Sequence, residues 1–430
     1  MKKFALAQAL VCLLAASPTW ATNGMRMTGF GPVQNSMGGV GVGATLDAAS
    51  IVSNPAGIVE LGGRVDFGAT YFQPSPEYRA TGLSGAGIPP GMFVLADGKT
   101  VASNRGASPI PVLGIIIPLD SKWSFGLGAY GVAGMGVDYA QNLYGATTYT
   151  SYSQMRFTPG VGYKLNDLVS FGLTLNAMWA TMEWNVAGAM GQAPHTTGSA
   201  FGAGATIGVK VTPIPELTLG AAYETKSWFQ DFAFATPVRA NPFAGAPGQP
   251  ETLPGGVDKI AFDQPQVVTI GAAGRPLRPL LVAADVEWIN WSQTNGSGLP
   301  AMIQNASGAL PWNLAWNDQL VFKVGVEVTA LPALRLRAGY NYGKAPLYAT
   351  RAFENIAFPA VTEHHFMGGF GLDVSAKLGL NVGIMLAPTA KVGGANGAPP
   401  PALGGDGQGI TSYEARMSQW AVDAGIAYRY

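Results

Sequence analysis

Strict two-residue alternation, repeated along almost the whole chain with charge confined to one parity, constrains the fold more than any other feature. Val65, Phe67, Ala69 and Tyr71 alternate with Asp66, Gly68 and Thr70, and Phe171, Leu173 and Leu175 alternate with Gly172, Thr174 and Asn176. The same rhythm returns in Phe201 to Lys210, Leu280 to Trp288, Leu320 to Val328, Leu334 to Tyr340, Leu378 to Ile384 and Trp420 to Tyr430. Period two means β-strands. Asp285, Glu287, Lys323, Glu327, Arg335, Arg337, Asp373, Asp423 and Arg429 all take the parity opposite to the apolar rows. A lipid-facing outside and a polar lumen require this arrangement.

A soluble sandwich would also segregate its charges, so parity alone does not choose between the two. Composition does. Charged residues make up 12% of the chain, aromatics 10%, and there are 59 glycines. Soluble domains carry about 25% charge. Met1-Lys2-Lys3, the apolar run Phe4 to Ala16 and the exit Thr19-Trp20-Ala21 have the form of a secretory signal, which predicts cleavage after Ala21. The run is too short to span a bilayer as a helix, which takes about 20 residues. Cleavage would remove Cys12, the only cysteine, and leave 23 basic and 25 acidic residues. Such a balance points to neither nucleic acid nor an acidic surface.

Connections come in two kinds. Asp120-Ser121-Lys122, Asn166-Asp167, Leu331-Pro332-Ala333 and Ser375-Ala376-Lys377 are tight, while Ser75 to Ala107, Gln230 to Asp263, Ser292 to Trp316 and Ala387 to Thr411 are long. Short turns at one end and long loops at the other mark outer-membrane barrels. The strand count is about fourteen, with less regular members near Ile110 to Pro118 and Val267 to Ala273. The expected fold is therefore all-β, a transmembrane antiparallel barrel from 63 to 430, in the outer membrane of a Gram-negative bacterium.

Between signal and barrel, residues 22 to 62 are too rich in glycine for a long helix or strand, and they predict a folded plug, or hatch, inside the lumen. Gly38-Gly39 and the turn Asn54-Pro55-Ala56 are its candidate structural residues, with the Asn54 amide placed to meet backbone groups. Thr22-Asn23-Gly24, Gly29-Phe30-Gly31, Met37-Gly38-Gly39-Val40 and Ser53-Asn54-Pro55-Ala56-Gly57 together resemble the hatch of the FadL-type transporters of long-chain fatty acids and hydrocarbons (OMPP1/FadL/TodX). The resemblance implies fourteen strands, passive uptake of hydrophobic compounds, capture on apolar outer loops, hatch movement and sideways exit through the wall. It implies no cofactor.

Phe125-Gly126-Leu127-Gly128 leading to Gly134-x-Gly136-x-x-Tyr139 resembles the family's inward-kinked third strand, with Val132 or a neighbour where the family often has proline. Gly131, Gly134 and Gly136 are accordingly candidates for a lateral gap; the alternative is that small residues make room for the plug. Phe93, Trp228, Phe229 and Trp312 lie in unusually apolar loops and are candidate ligand contacts, or aromatic-girdle residues. Lumen-facing Arg156 and Lys323 are placed either to meet a carboxylate or to neutralise lumen acids. Rival functions are an aromatic-hydrocarbon channel and a small-solute porin.

Enzymatic chemistry finds little support. Gly39-x-Gly41-x-x-Ala44 and Gly126-x-Gly128-x-x-Gly131 lack the strand-then-helix context of a dinucleotide loop. Adjacent His364 and His365 point to opposite faces of a strand, and His195 is remote in sequence, so no metal pair forms. No G-x-S-x-G elbow occurs. The expected partners are a hydrophobic small molecule, outer-membrane lipid and the barrel-assembly machinery, with the barrel a monomer.

Overall fold

The computed structural model describes residues 23–82, 96–140, 148–186, 197–236, 238–240, 250–253, 255–296, 303–305, 308–310, 314–397 and 410–430. Residues 1–22, which hold the expected signal sequence, and Phe93 and Trp312 lie outside the described residues. Fourteen strands form the wall. They are β1 Arg64–Thr81, β2 Ser108–Pro118, β3 Trp123–Tyr139, β4 Thr148–Lys164, β5 Val169–Val186, β6 Thr197–Ile214 and β7 Leu217–Glu224. The second half supplies β8 Val267–Leu277, β9 Leu280–Ile289, β10 Gln319–Leu331, β11 Leu334–Gly343, β12 His364–Asp373, β13 Leu378–Gly397 and β14 Ile410–Arg429.

Each strand pairs antiparallel with its neighbours in sequence, and β1 pairs with β14 from Arg64↔Arg429 to Thr81↔Ser412, so the barrel closes. Closure joins the first strand to the last, the condition for strands to cross hydrocarbon. Among the described residues no helix is long and apolar enough to cross a membrane. Several strands run further outward than their alternation alone predicts: β3 reaches Tyr139, β4 begins at Thr148 and β13 extends to Gly397. Cross-strand pairing sustains them where the apolar pattern fades.

Parity places each face as the rows predict. Phe67, Leu175 and Phe201 are 61%, 64% and 65% exposed on the outer surface, whereas Asp285, Lys323 and Asp423 are buried in the lumen. Six short turns lie at one end, each between consecutive strands from β2–β3 to β12–β13. In the first, the Asp120 carboxylate accepts the Lys122 and Trp123 N–H groups at 2.7 Å each, which holds its carboxyl below the ordinary range. The long connections all leave the opposite end.

Asn23 to Gly62 packs inside the strands through two short helices, α1 Gly31–Ser36 and α2 Ser50–Ser53, and a 3-10 turn Pro55–Glu60. The segment has almost no exposed surface, because the lumen wall supplies the core that it cannot build alone. At the outer end a second, aromatic-rich core gathers Tyr78, Tyr139, Tyr152, Tyr413, Trp291 and Trp316 from strands and loops. Tyr139 stands edge-on to Tyr78 at 4.9 Å, and Tyr413 stacks on Tyr78 at 5.4 Å.

Candidate transport path

Polar contacts bind the N-terminal segment to the wall on several sides. The Asp285 carboxylate on β9 accepts the N–H groups of Gly41 at 2.8 Å and Val42 at 3.0 Å, a backbone nest filled by a wall anion. Asn35 Nδ2 donates to Asp423 on β14 at 2.8 Å. Lys210 on β6 pairs with Glu60 at 2.7 Å. Asn54 Nδ2 donates to the Val42 carbonyl at 2.9 Å and to Val209 of β6 at 3.2 Å, while its Oδ1 accepts Ala56 N–H and caps the 3-10 turn.

Backbone crowding explains the glycines. Gly38 has φ +73°, and a Cβ there would stand 2.5 Å from the Val324 carbonyl. Gly39 has φ +81° against the Thr28 carbonyl, a conformation and a contact that only glycine accepts. Pro55 and Ala56 lie against Gly172 of β5, where any side chain on the wall would displace them.

The wall is incomplete at one place. β2 and β3 pair only from Val112↔Tyr130 to Pro118↔Ser124, although β3 continues outward to Tyr139. Between Gly131↔Met155 and Ala133↔Gln154 the register with β4 shifts, so Val132 is an extra residue, a β-bulge. The bulge turns the outer half of β3 away from β2 and leaves that edge to other partners. The N-terminal segment takes some of it: Met27 N–H donates to the Val132 carbonyl and Gly134 N–H to the Met25 carbonyl, both at 3.1 Å. Further out, Asn104 N–H reaches the Asp138 carbonyl at 2.7 Å, so the chain ahead of β2 bridges the top of the opening.

A cavity of about 130 Å3 occupies the opening. Its lining includes Met25, Met27, Phe72, Ile110, Gly131, Gly134, Met135 and Gly136. Both faces of β4 contribute. Tyr152 and Gln154 point into the lumen, and Ser153 and Met155 point out. The cavity is therefore lined by residues of both the lumen face and the outer face, along the edge that β2 leaves open.

Charged groups stand at both ends of it. Arg26, on its lumen side, shares Glu224 of β7 with Arg156, one inward-facing position deeper than Gln154 on β4. Arg156 is 1% exposed, and among the described residues its Nε and Nη1 have no partner. On the outer rim, Arg105 donates to Tyr149 Oη at 3.3 Å and Ser151 Oγ at 2.9 Å, and among the described residues it has no carboxylate partner.

The candidate gap glycines Gly131, Gly134 and Gly136 all line the cavity. Arg156 lies just below it. Lys323 is further off, paired with Glu287 at 2.9 Å. Trp228 is exposed opposite Ala203, and Phe229 covers Gly202 at the edge of the aromatic core; neither lines the cavity. Arg105, Glu224 and the cavity methionines were missed by reading parity alone, since strands far apart in sequence bring them together. Met25-x-Met27 in the glycine-rich segment was the one local signal available.

The family described as outer membrane protein transport protein (OMPP1/FadL/TodX) matches residues 14–430. No curated protein matches the chain. Among solved structures, a Pseudomonas aeruginosa FadL homologue superposes with a TM-score of 0.75 at 16% identity, covering 94% of this chain and 99% of that one. The Pseudomonas putida toluene transporter TodX gives 0.70 at 17% identity, with 94% and 99% covered. The Ralstonia pickettii toluene transporter TbuX gives 0.65 at 17%, again with 94% and 99% covered. At such identities the likeness carries the fold, and the family match carries the rest: the chain belongs to the OMPP1/FadL/TodX family of outer-membrane transport proteins.

Proposed function

We propose that this transporter takes up hydrophobic compounds, long-chain fatty acids foremost, and releases them sideways through the opening between β2 and β3. The supporting observation is the apolar cavity that passes through the wall there. Removing an acyl chain from apolar contact costs about 0.8 kcal/mol per CH₂. A continuous apolar route into lipid avoids that cost, and an aqueous pore does not. The hatch, residues 22–62, blocks the straight route; its Asn23 to Met27 end borders the cavity and is the part whose displacement widens it.

Two cations favour an anionic amphiphile. Among the described residues, the Arg105 guanidinium is held by hydroxyls and no carboxylate, and Arg156, paired with Glu224 through Nη2, has two further nitrogens without a partner beneath the cavity. A fatty-acid carboxylate supplies what each lacks. A second reading, aromatic-hydrocarbon uptake, draws on the cavity volume. About 130 Å3 is close to the ~150 Å3 engineered cavity that takes one benzene. The two named relatives that are toluene transporters agree with it.

Uptake of radiolabelled palmitate and toluene by cells lacking other routes separates them. With Arg105→Gln, the fatty-acid reading expects palmitate uptake to fall about tenfold, the loss of one charge-assisted contact, while toluene uptake is unchanged. Uptake of toluene alone by the unaltered protein overturns the fatty-acid reading.

A further inference from the structure

Five side chains around the cavity are methionines: Met25 and Met27 from the hatch, Met135 of β3, Met155 of β4 and Met417 of β14. Barrel geometry does not demand them, since β-branched and aromatic residues build strands better. Thioethers are flexible and polarisable, which suits a passage that must fit varied ligands. They are also apolar groups that a two-electron oxidant converts into polar ones. Exposure divides the set. Met27, Met135 and Met155 are partly exposed, whereas Met25 and Met417 are 2% and 4% exposed.

We propose that Met27, Met135 and Met155 form an oxidative modification site through which small peroxides close the passage. The inference rests on the wall cavity being the exit route. In the step, a methionine sulfur attacks one oxygen of hydrogen peroxide. An S–O bond forms and the O–O bond breaks. Sulfur loses two electrons, and the departing hydroxide takes the proton of the transferred oxygen and leaves as water. The sulfoxide then presents a strong acceptor to a ligand that has no donor to satisfy it. Position makes three such groups effective. Met27 adjoins the hatch bond to Val132, Met135 lies on the bulged half of β3, and Met155 stands opposite Gly131. Methionine sulfoxide reductases, one for each epimer, reverse the change.

The test exposes cells carrying the transporter to graded hydrogen peroxide, maps sulfoxides by peptide mass spectrometry and measures [14C]palmitate and [14C]toluene uptake. Met27, Met135 and Met155 are expected to oxidise before Met37 and Met182, which are fully buried. Treated uptake should fall about tenfold as they do. The purified reductases, applied to outer membranes re-assayed for ligand binding, should restore it. In Met27→Leu/Met135→Leu/Met155→Leu, a volume-conserving change, the ratio of treated to untreated uptake should stay near one, whatever the basal rate. Unchanged wild-type uptake with all three oxidised overturns the proposal, and so does equal inhibition of the variant. If Gly134→Trp leaves uptake intact, it is the exit route that fails; if Gly134→Trp blocks uptake and oxidation does not, the modification site alone falls.

Discussion

Asn54 shows how much one side chain carries. Its amide ties the hatch turn to itself at Val42, to the wall at Val209 and to the 3-10 turn at Ala56, and it is 1% exposed. Replacement by alanine leaves buried groups without partners, at about 1–3 kcal/mol each. Asn54→Ala is expected to keep a folded barrel, to speed amide exchange in residues 40–60 and to lower uptake. Asp285 holds the same stretch of the hatch from β9, through the Gly41 and Val42 N–H groups. Asp285→Ala deprives Gly41 and Val42 of their acceptor, and the expected result is open-channel conductance in planar bilayers that the unaltered protein lacks. The Asn54 role was legible in sequence because Asn-Pro is a turn signal whatever surrounds it. The Asp285 nest was not: parity put the carboxylate in the lumen, but 244 residues separate it from Gly41.

At the scale of elements, β3 decides the path. Its inner half, Ser124 to Tyr130, is held by β2 and β4, and its outer half by β4 and the hatch. Glycine crowding marked this strand in the sequence, yet Gly131-Val132-Ala133-Gly134 does not reveal which residue is the extra one. Register is a property of the pair, and only β4 shows that it is Val132. The candidate loop aromatics illustrate the opposite limit. Trp228 and Phe229 are apolar and near a strand end, but a short pairing with Gly202 and Ala203 turns Trp228 outward and packs Phe229 at the edge of the aromatic core, both away from the cavity. Gly134 is exposed, and the Tyr152 carbonyl would stand 3.3 Å from its Cβ, a contact relieved by a shift of a few tenths of an ångström. Gly134→Trp therefore fills the cavity at the cost of a small local adjustment. Uptake should fall at least tenfold while heat-modifiable mobility on gels, the sign of an intact barrel, stays as it is.

For the whole molecule, the barrel was legible because period two is enforced at every crossing by lipid on one side and a polar lumen on the other. Inside, the same rule yields a lumen in which carboxylates and cations are matched, Arg26 and Arg156 with Glu224, Lys323 with Glu287, Arg337 with Glu327. These pairings are spread over five strands and the N-terminal segment, so they form only when the whole barrel is assembled. Under the proposed function, the break between β2 and β3 is where apolar ligands leave.

Ile110 and Gly131 permit a direct test of that exit. A Cβ on Gly131 stands 3.6 Å from Ile110 Cβ, within the span of a disulfide, and the chain's only cysteine is Cys12, near the N-terminus. Ile110→Cys/Gly131→Cys places a reversible staple across the base of the opening. With radiolabelled palmitate and toluene, uptake should be lost when the pair is oxidised and return on reduction with a membrane-permeant thiol. Equal uptake in the two states, with the disulfide verified by mass spectrometry, would contradict lateral release between β2 and β3.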